Sequence, residues 1–90
     1  MKIVYLPSSI SDLEWMKQYY ESVFPEGSIQ AYRHVLALEG LLQQNPFIGN
    51  KTEHDDVREI PIRKTPFSLI YRVTDHQIQI LRVWDQRRER

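Results

Sequence analysis

Apolar residues in the first quarter of the chain recur three and four positions apart, the spacing of an amphipathic helix. The apolar positions are Ile10, Leu13, Met16, Tyr20 and either Val23 or Phe24. They predict a helix over 9–23, after a short β-branched strand at 2–6. Pro7 separates the two elements because proline cannot donate to a strand ladder. Ser9 and Asp12 are spaced like a capping box, which predicts that the helix begins there.

A second helical pattern follows the break FPEG at 24–27. Its apolar positions are Ile29, Tyr32, Val35, Leu36, Leu38 and Leu42. The pattern predicts a helix that starts at Gly27 or Ser28 and ends before Pro46, because the residue before a proline is disfavoured in the helical region. Two helices joined by such a short link predict an antiparallel helical hairpin.

After a polar, acidic loop at 47–56, the period of the apolar residues changes to two, which is typical of strands. The apolar positions are Ile60 and Ile62, then Phe67, Leu69, Tyr71 and Val73, then Ile78, Ile80 and Trp84. Asp75 and His76 lie midway between the last two strands and predict a hairpin turn. The three strands would form an antiparallel meander.

The hairpin also predicts which side chains share a face, because successive side chains of a strand alternate. Tyr71 should lie near Ile80. The predicted core face holds Phe67, Leu69, Tyr71, Val73, Ile78, Ile80 and Trp84, and the other face holds Ser68, Ile70, Arg72, Gln79, Leu81 and Val83. Arg82 falls on the core side, so its guanidinium should either extend to water or pair with an acid such as Glu14 or Asp85.

The order strand, helix, helix and three strands predicts an α+β domain with the helices packed on one face of the sheet. The 90 residues predict one domain over 1–90, and the absence of cysteine excludes disulfides and cysteine-ligated metals. No apolar run approaches the roughly 20 residues of a membrane helix, and the first residues show no signal-peptide pattern. We therefore expect a cytoplasmic protein that does not contact membranes.

A formal net charge of zero hides an uneven distribution. Residues 1–56 carry four Lys or Arg against eight Asp or Glu, a net charge of −4, and residues 57–90 carry eight against four, a net charge of +4. Seven of the eight cations in 57–90 are arginines, which bind carboxylates and phosphates through two parallel hydrogen bonds. This segment is either a solvated surface or a basic face for an acidic partner or a phosphate backbone.

Few residues carry a recognisable catalytic or metal-binding signature. The three histidines lie in different predicted elements, and the acidic run 53–56 matches no metal-ligand spacing. The serines lack the flanking pattern of a catalytic nucleophile, and no glycine-rich phosphate loop is present. Trp15 and Met16 are assigned to core or helix packing. We predict no metal site and no cofactor.

Six short motifs follow one another along almost the whole chain. They are D-L-x-x-M-x-x-Y-Y (12–20), F-P-E (24–26), N-P-x-x-G (45–49), V-R-E-I (57–60), P-F-x-L-I-Y-R-V (66–73) and I-L-R-V-x-x-x-R-R (80–88). Together, in this order, they resemble the RelE/ParE superfamily of bacterial type II toxins. The resemblance implies the same element order that the apolar periodicity predicts.

The resemblance also implies a growth-inhibiting toxin, which a cognate ParD-like antitoxin holds inactive in a toxin–antitoxin hetero-oligomer. RelE-like members cut messenger RNA on the ribosome, whereas ParE-like members inhibit DNA gyrase and lack nuclease activity. RelE-type nucleases carry lysines where this chain has Glu59 and Pro61, and an arginine where it has Ser68. Neither Tyr nor His follows Trp84, although one of them serves near the C-terminus of many RelE-type members.

These departures favour a ParE-like inhibitor that binds DNA gyrase and is not an enzyme. One alternative is a ribosome-dependent mRNA endoribonuclease with a diverged site made of Glu59, Arg72 and Arg88. Another is a member that has lost toxicity or serves only as a partner-binding module. The arginines predicted to contact the target are Arg72, Arg87 and Arg88, with Arg58 and Arg63 in support. A flexible antitoxin segment is expected to place apolar anchors in a groove near the helices and acidic residues against the arginines.

Overall fold

A five-stranded mixed sheet and two α-helices make up the computed structural model, which describes residues 1–88. The elements are β1 (Lys2–Tyr5), α1 (Pro7–Val23), a 3-10 helix (Pro25–Gly27), α2 (Ser28–Gln44), β2 (Asn50–Lys51), β3 (Val57–Pro61), β4 (Phe67–Val73) and β5 (Gln77–Asp85). The strand order is β1-β5-β4-β3-β2, with β1 parallel to β5 and the other pairs antiparallel. The predicted α+β fold is confirmed. The last two positions of the predicted 1–90 domain lie outside the described residues.

One core joins both helices to one face of the sheet. Its buried members are Met16, Tyr20, Ala31, Val35, Leu38, Leu42, Ile62, Phe67, Leu69, Tyr71, Ile78, Ile80 and Val83. Strand β2 lies inside the segment predicted as a loop, and its two residues are too few to show a period. None of the helices within residues 1–88 is long and apolar enough to cross a membrane.

The start of α1 differs from the prediction. The helix begins at Pro7, directly after Leu6, with no side-chain cap. Proline suits a first helical turn because its missing N–H needs no partner there and its φ is already helical. Ser9 therefore lies inside the helix, where its hydroxyl donates to the Leu6 carbonyl at 2.7 Å. The predicted capping box is wrong, and Asp12 makes a different contact, described below.

Helix α2 buries only part of its apolar surface. The core side carries Ala31, Val35, Leu38 and Leu42. Ile29, Tyr32 and Leu36 are 66%, 64% and 49% exposed, so the prediction that they join the core stripe is wrong. Apolar residues spread over so much of the circumference cannot all face one sheet. The remaining apolar side of α2 is left for another contact.

An irregularity in β5 divides the hairpin into two parts. Tyr71 pairs with Ile80, as the hairpin turn predicts. The next pair along the ladder is Ile70 with Arg82, so Leu81 is an extra residue without a pairing partner in β4. This arrangement is a β-bulge, which shifts the alternation of side chains beyond it.

The bulge reverses the predicted facing of the residues that follow it. Val83 pairs with Leu69 and lies in the core at 4% exposure. Arg82 and Trp84 turn to the sheet face away from the helices, where Trp84 pairs with Ser68. The predictions that Arg82 and Trp84 face the core and that Val83 faces away from it are therefore wrong.

Two side chains hold the loop after α2 against the sheet. The Tyr71 hydroxyl donates to the Pro46 carbonyl at 2.8 Å and accepts from the Gly49 N–H at 2.9 Å. Arg58 donates to the carbonyls of Phe47 and Gly49 at 3.1 and 2.9 Å. Glycine is needed at position 49, because a Cβ there would lie 2.6 Å from the Tyr71 hydroxyl oxygen. We call Pro46, Gly49, Arg58 and Tyr71 the loop anchor; it explains the glycine of the N-P-x-x-G motif.

Candidate partner-binding site

Two aromatic rings of α1 and two arginines after β5 form a stacked cluster at one end of the sheet. Trp15 and Tyr19 lie one helical turn apart, with ring centroids 5.9 Å apart and an interplanar angle of 14°. The guanidinium carbon of Arg87 lies 4.5 Å from the centre of the Tyr19 ring, and that of Arg88 lies 4.6 Å from the centre of Trp15. Both contacts have cation–π geometry. We call these four residues the arginine–aromatic cluster.

Arg87 is fixed in the cluster by a buried carboxylate. Asp85 is 6% exposed and accepts from the Arg87 backbone N–H at 3.0 Å, from Nε at 2.9 Å and from Nη2 at 2.8 Å. Arg87 Nη1 donates to the Tyr19 hydroxyl at 3.0 Å. The hydrogen bonds from Arg87 hold the pKa of Asp85 below its usual value, against the opposing effect of burial. Arg87 therefore serves the protein's own structure.

Arg88 is exposed and lies in a different environment. Its backbone N–H donates to the Asp85 carbonyl at 3.0 Å, which fixes the turn after β5. Within residues 1–88, its guanidinium stacks on Trp15 and makes no hydrogen bond or ion pair. The ring orients the guanidinium while leaving its N–H donors for a partner.

Arg82 pairs with Asp12 of α1, and the predicted pairing with Glu14 or Asp85 is wrong. Arg82 Nε and Nη2 donate to the Asp12 carboxylate at 2.7 and 3.1 Å, and this hydrogen bonding raises the pKa of Arg82. Asp12 also accepts from the Val83 backbone N–H at 2.9 Å. The bulge is the physical reason, because it turns Arg82 out of the core and towards the edge of β5.

A narrow cleft lies between this ion pair and the arginine–aromatic cluster. Its lining includes Trp15, Trp84, Arg82 and Arg88. The volume is about 20 Å³, which is room for one water-sized group. The Arg82 guanidinium carbon lies 5.6 Å from the centre of the Trp84 ring, so each of the two tryptophan rings has a guanidinium group stacked against it. We call this feature the tryptophan cleft.

Two of the groups predicted for the alternative nuclease site lie on the sheet face away from the helices. The Gln86 amide donates to the Glu59 carboxylate at 2.7 Å and to the Ser68 hydroxyl. Arg72 Nε donates to the Gln79 side-chain oxygen at 2.7 Å. Glu59 and Arg72 are diagonal neighbours on the adjacent strands β3 and β4, a position in which Cα atoms lie about 7–8 Å apart. Among residues 1–88, no three His, Asp or Glu side chains are placed to hold a metal ion.

The five arginines predicted to contact the target do not form one patch. Arg87 and Arg88 belong to the arginine–aromatic cluster. Arg63 is exposed in the turn between β3 and β4, at the same end of the sheet. Arg72 lies near the other end of β4, roughly 17 Å along the strand. Arg58 belongs to the loop anchor, where its donors hold two backbone carbonyls.

Trp15 and Tyr19 are the candidate residues that sequence reasoning missed. The sequence assigned Trp15 to core or helix packing; its ring contacts Phe67 and Tyr19, but Trp15 is 39% exposed and is not one of the buried core residues. The available signal was an aromatic pair four residues apart, each one position before a buried residue of α1, Met16 and Tyr20. The cluster itself was invisible in the sequence because Tyr19 and Arg87 are 68 positions apart.

A larger, apolar groove runs between α1 and α2. Its volume is about 340 Å³, and its lining includes Ile10, Leu13, Met16, Ala31, Tyr32 and Leu36. The apolar side of α2 that the sheet does not cover thus forms part of its wall. Tyr5 and Glu39 also line the groove, and the Tyr5 hydroxyl donates to the Glu39 carboxylate at 2.6 Å. Burial, and then this hydrogen bond, raises the pKa of Tyr5.

A family model for the ParE toxin of the type II toxin–antitoxin system parDE matches residues 3–90. The chain is similar to a solved structure of a chromosomal ParDE TA system from P. aeruginosa, with 29% identity, a TM-score of 0.78 and 92% of each chain covered. It shares its fold with YafQ from E. coli, at 16% identity and a TM-score of 0.66, covering 96% of this chain and 93% of that one. It also shares its fold with the YoeB dimer from Staphylococcus aureus, at 16% identity and a TM-score of 0.62, covering 92% and 93%. The comparison with curated proteins found no match.

Proposed function

We propose that this chain, which belongs to the ParE toxin family of type II toxin–antitoxin systems, inhibits growth by binding DNA gyrase and is neutralised by a cognate antitoxin. The family match over residues 3–90 confirms the resemblance predicted from the six sequence motifs. The similarity to a chromosomal ParDE system supports an antitoxin as the partner.

The three groups required for the alternative ribonuclease are each held by a different side chain of the protein, and this observation favours binding over cleavage. Glu59 and Arg72 lie on the sheet face away from the helices, whereas Arg88 stacks on Trp15 of α1. A general base and a general acid must both come within about 2.6–3.2 Å of one substrate. The Arg72 guanidinium is already bound to Gln79, whose side-chain oxygen accepts from Nε at 2.7 Å. The Glu59 carboxylate also accepts a hydrogen bond from Gln86 at 2.7 Å.

Arg88 and Arg72 are the arginines that we propose for direct contact with gyrase, with Arg63 in support. Arg88 is exposed and oriented by a ring, which lowers the entropy lost when its guanidinium binds. Arg87 and Arg58 would act indirectly, since their guanidinium groups hold Asp85 and the loop after α2.

The groove between α1 and α2 is the proposed seat of an antitoxin segment. Ile10, Tyr32 and Leu36 line it and are 47%, 64% and 49% exposed. Covering them would contribute about 25 cal/mol per Å² of apolar surface removed from water. Ordering a flexible segment costs free energy, so we expect the interface to extend beyond the groove.

A gyrase supercoiling assay with antitoxin-free protein, run beside a translating-ribosome cleavage assay, tests the proposal. We expect loss of supercoiling, or trapped cleaved DNA, with intact messenger RNA. Cut messenger RNA with normal supercoiling would contradict the proposal and favour the ribonuclease site of Glu59, Arg72 and Arg88.

Matched arginine variants make the assay specific. Arg33 is exposed on α2 and does not line the groove, so Arg33→Ala is the control for Arg88→Ala. We expect Arg88→Ala to weaken gyrase inhibition about tenfold, as the loss of a binding hot spot does, and Arg33→Ala to inhibit like the wild type. Adding the cognate antitoxin should restore supercoiling; continued inhibition in its presence would remove the neutralisation part of the proposal.

A further inference from the structure

The tryptophan cleft brings both tryptophans of the chain together with two half-exposed or exposed arginines. Trp15 comes from α1 and Trp84 from β5, and Trp84 reaches the cleft only because the bulge turns it away from the core. Arg82 lies over one ring and Arg88 over the other. The cleft therefore presents two guanidinium groups, each of which lies against a tryptophan ring.

The charges around the cleft leave one cation in excess. Arg82 is paired with Asp12 at 2.7 Å, and Arg87 is paired with Asp85 at 2.8 Å. Arg88 has no ion pair within residues 1–88. The local net charge of these five side chains is thus +1, which one monoanionic group would balance.

We propose that the tryptophan cleft is a carboxylate subsite, in which Arg88, with Arg82 beside it, binds one acidic side chain of the antitoxin. A carboxylate is planar and accepts two parallel hydrogen bonds from a guanidinium. A space of about 20 Å³ takes one water-sized group, so a bound carboxylate would place one oxygen in the cleft and leave the other at its mouth. The inference rests on the proposed neutralisation by an antitoxin and names the chemistry of one of its contacts.

A protein carboxylate suits the cleft better than a nucleic-acid backbone. Binding of a nucleic acid neutralises several phosphates with several cations, whereas among the described charged residues that line the cleft Arg88 alone has no ion pair. Asp12 and Asp85 also line the cleft and would repel a chain of further negative charges.

The subsite would give the antitoxin a direct way to neutralise the toxin. Arg88 is the residue proposed to contact gyrase, and a carboxylate bound to it would occupy the same N–H donors. The antitoxin would then compete with the target for one side chain while its apolar anchors fill the groove beyond α1.

A double-mutant cycle between toxin and antitoxin tests this proposal. Each Asp and Glu of the cognate antitoxin is changed to Asn or Gln, and its dissociation constant is measured with wild-type, Arg88→Ala, Arg88→Lys and Arg33→Ala toxin. We expect one acidic position at which the amide weakens binding about tenfold to wild-type toxin and less than about twofold to Arg88→Ala. Arg88→Lys should show an intermediate coupling, because lysine keeps the charge and loses the fork.

Tryptophan fluorescence locates the bound carboxylate, because both tryptophans of the chain line the cleft. The antitoxin is used with any tryptophan of its own replaced by phenylalanine. Binding of wild-type antitoxin should change the emission of the toxin, and the amide variant identified by the cycle should bind with a clearly smaller change. Arg33→Ala toxin should respond like the wild type.

Several results would overturn the subsite. They are the absence of any acidic position coupled to Arg88, equal coupling to Arg33, and an emission change produced by a DNA duplex but not by antitoxin. These binding measurements contain no gyrase, so a toxin that spares gyrase yet shows the coupling would refute the proposed target and leave the subsite intact. Gyrase inhibition without the coupling would refute the subsite alone.

Discussion

The loop anchor and the arginine–aromatic cluster each contain an arginine that stacks on an aromatic ring, but the two arginines have different roles. Arg58 lies 5.2 Å from the centre of the Phe47 ring, and Arg88 lies 4.6 Å from the centre of Trp15. The Arg58 guanidinium also donates to two backbone carbonyls, whereas that of Arg88 makes no hydrogen bond within residues 1–88. A stacked arginine is thus structural where backbone oxygens take its donors, and ready to bind where only a ring orients it.

Removing the hydroxyl of Tyr71 should break the loop anchor and give the largest loss of stability. Tyr71→Phe leaves the Gly49 N–H and the Pro46 carbonyl without their partner in the interior. We expect the free energy of unfolding to fall by about 2–3 kcal/mol, measured by urea denaturation. Tyr32→Phe, at a residue 64% exposed, is the control and should leave stability unchanged. An equal effect of both variants would contradict the structural role of the loop anchor.

Replacing Asp85 should give the next largest loss of stability. Asp85 holds the Arg87 guanidinium, much as backbone carbonyls hold the Arg58 guanidinium in the loop anchor. Asp85→Asn takes a buried charge from three hydrogen bonds with Arg87, whose side chain is 49% exposed. We expect a loss of about 1–2 kcal/mol at neutral pH, smaller than for a fully buried pair.

The same variant should change how stability depends on pH. The pKa of Asp85 is lower in the folded protein than its usual value, which is about 3.9 when unfolded. The carboxylate therefore stabilises the fold above that pH, and its contribution is lost as the pH falls through the folded pKa. Urea denaturation between pH 7 and pH 3 should show a steeper acid loss for wild type than for Asp85→Asn. Identical acid slopes would show that this carboxylate does not stabilise the cluster.

Replacing Lys64 by a residue that tolerates a positive φ should give a small gain in stability. It tests the turn at the end of the sheet where the arginine–aromatic cluster lies. Lys64 has a φ of 61°, the left-handed region that favours glycine, in the turn that also holds Arg63. Lys64→Gly should stabilise the protein by about 0.5 kcal/mol, since relief of the side-chain clash is offset by the entropy of glycine in the unfolded chain. Lys64→Asn should behave similarly. A loss of stability in both variants would mean that the lysine side chain makes a stabilising contact.

Removing Arg88 should give the smallest change in stability and so separates the two regions most clearly. Because its guanidinium stacks on Trp15 but makes no hydrogen bond within residues 1–88, Arg88→Ala should lower the free energy of unfolding by at most about 0.5 kcal/mol, measured by urea denaturation. Arg58→Ala, which removes the matching arginine of the loop anchor, should shift the midpoint down. A shift of the same size for Arg88→Ala would place Arg88 among the structural arginines and weaken its assignment to partner contact.

Local patterns in the sequence sufficed for most of the fold. The pairing of Tyr71 with Ile80 follows from a turn of fixed length and strict alternation, and both are properties of neighbouring residues. The bulge was not predictable in this way. The bulge is accompanied by hydrogen bonds between residues 70 and 71 positions apart, in which the Asp12 carboxylate accepts from the Arg82 side chain and from the Val83 N–H.

The candidate site was less predictable than the fold for the same reason. The sequence identified Arg87 and Arg88 as a basic pair, but their different roles depend on Asp85 and on the rings of α1. Trp15 is a large apolar residue beside the predicted stripe; its ring contacts the core residue Phe67, but its position on the flank leaves it 39% exposed. On α2, apolar residues surround much of the helix, so spacing alone could not say which side faces the sheet.

The pairing of β1 with β5 has a consequence for the order in which the protein becomes complete during synthesis. Ile3 pairs with Ile78. The Asp12 carboxylate binds Arg82, which is synthesised 70 positions later. Both helices can form while the chain is still growing, but the tryptophan cleft and the arginine–aromatic cluster cannot. The residues that line the groove lie between Tyr5 and Glu39 and are therefore synthesised before Arg87 and Arg88. If an antitoxin segment binds the groove as we propose, its contact residues are complete before the arginine–aromatic cluster is.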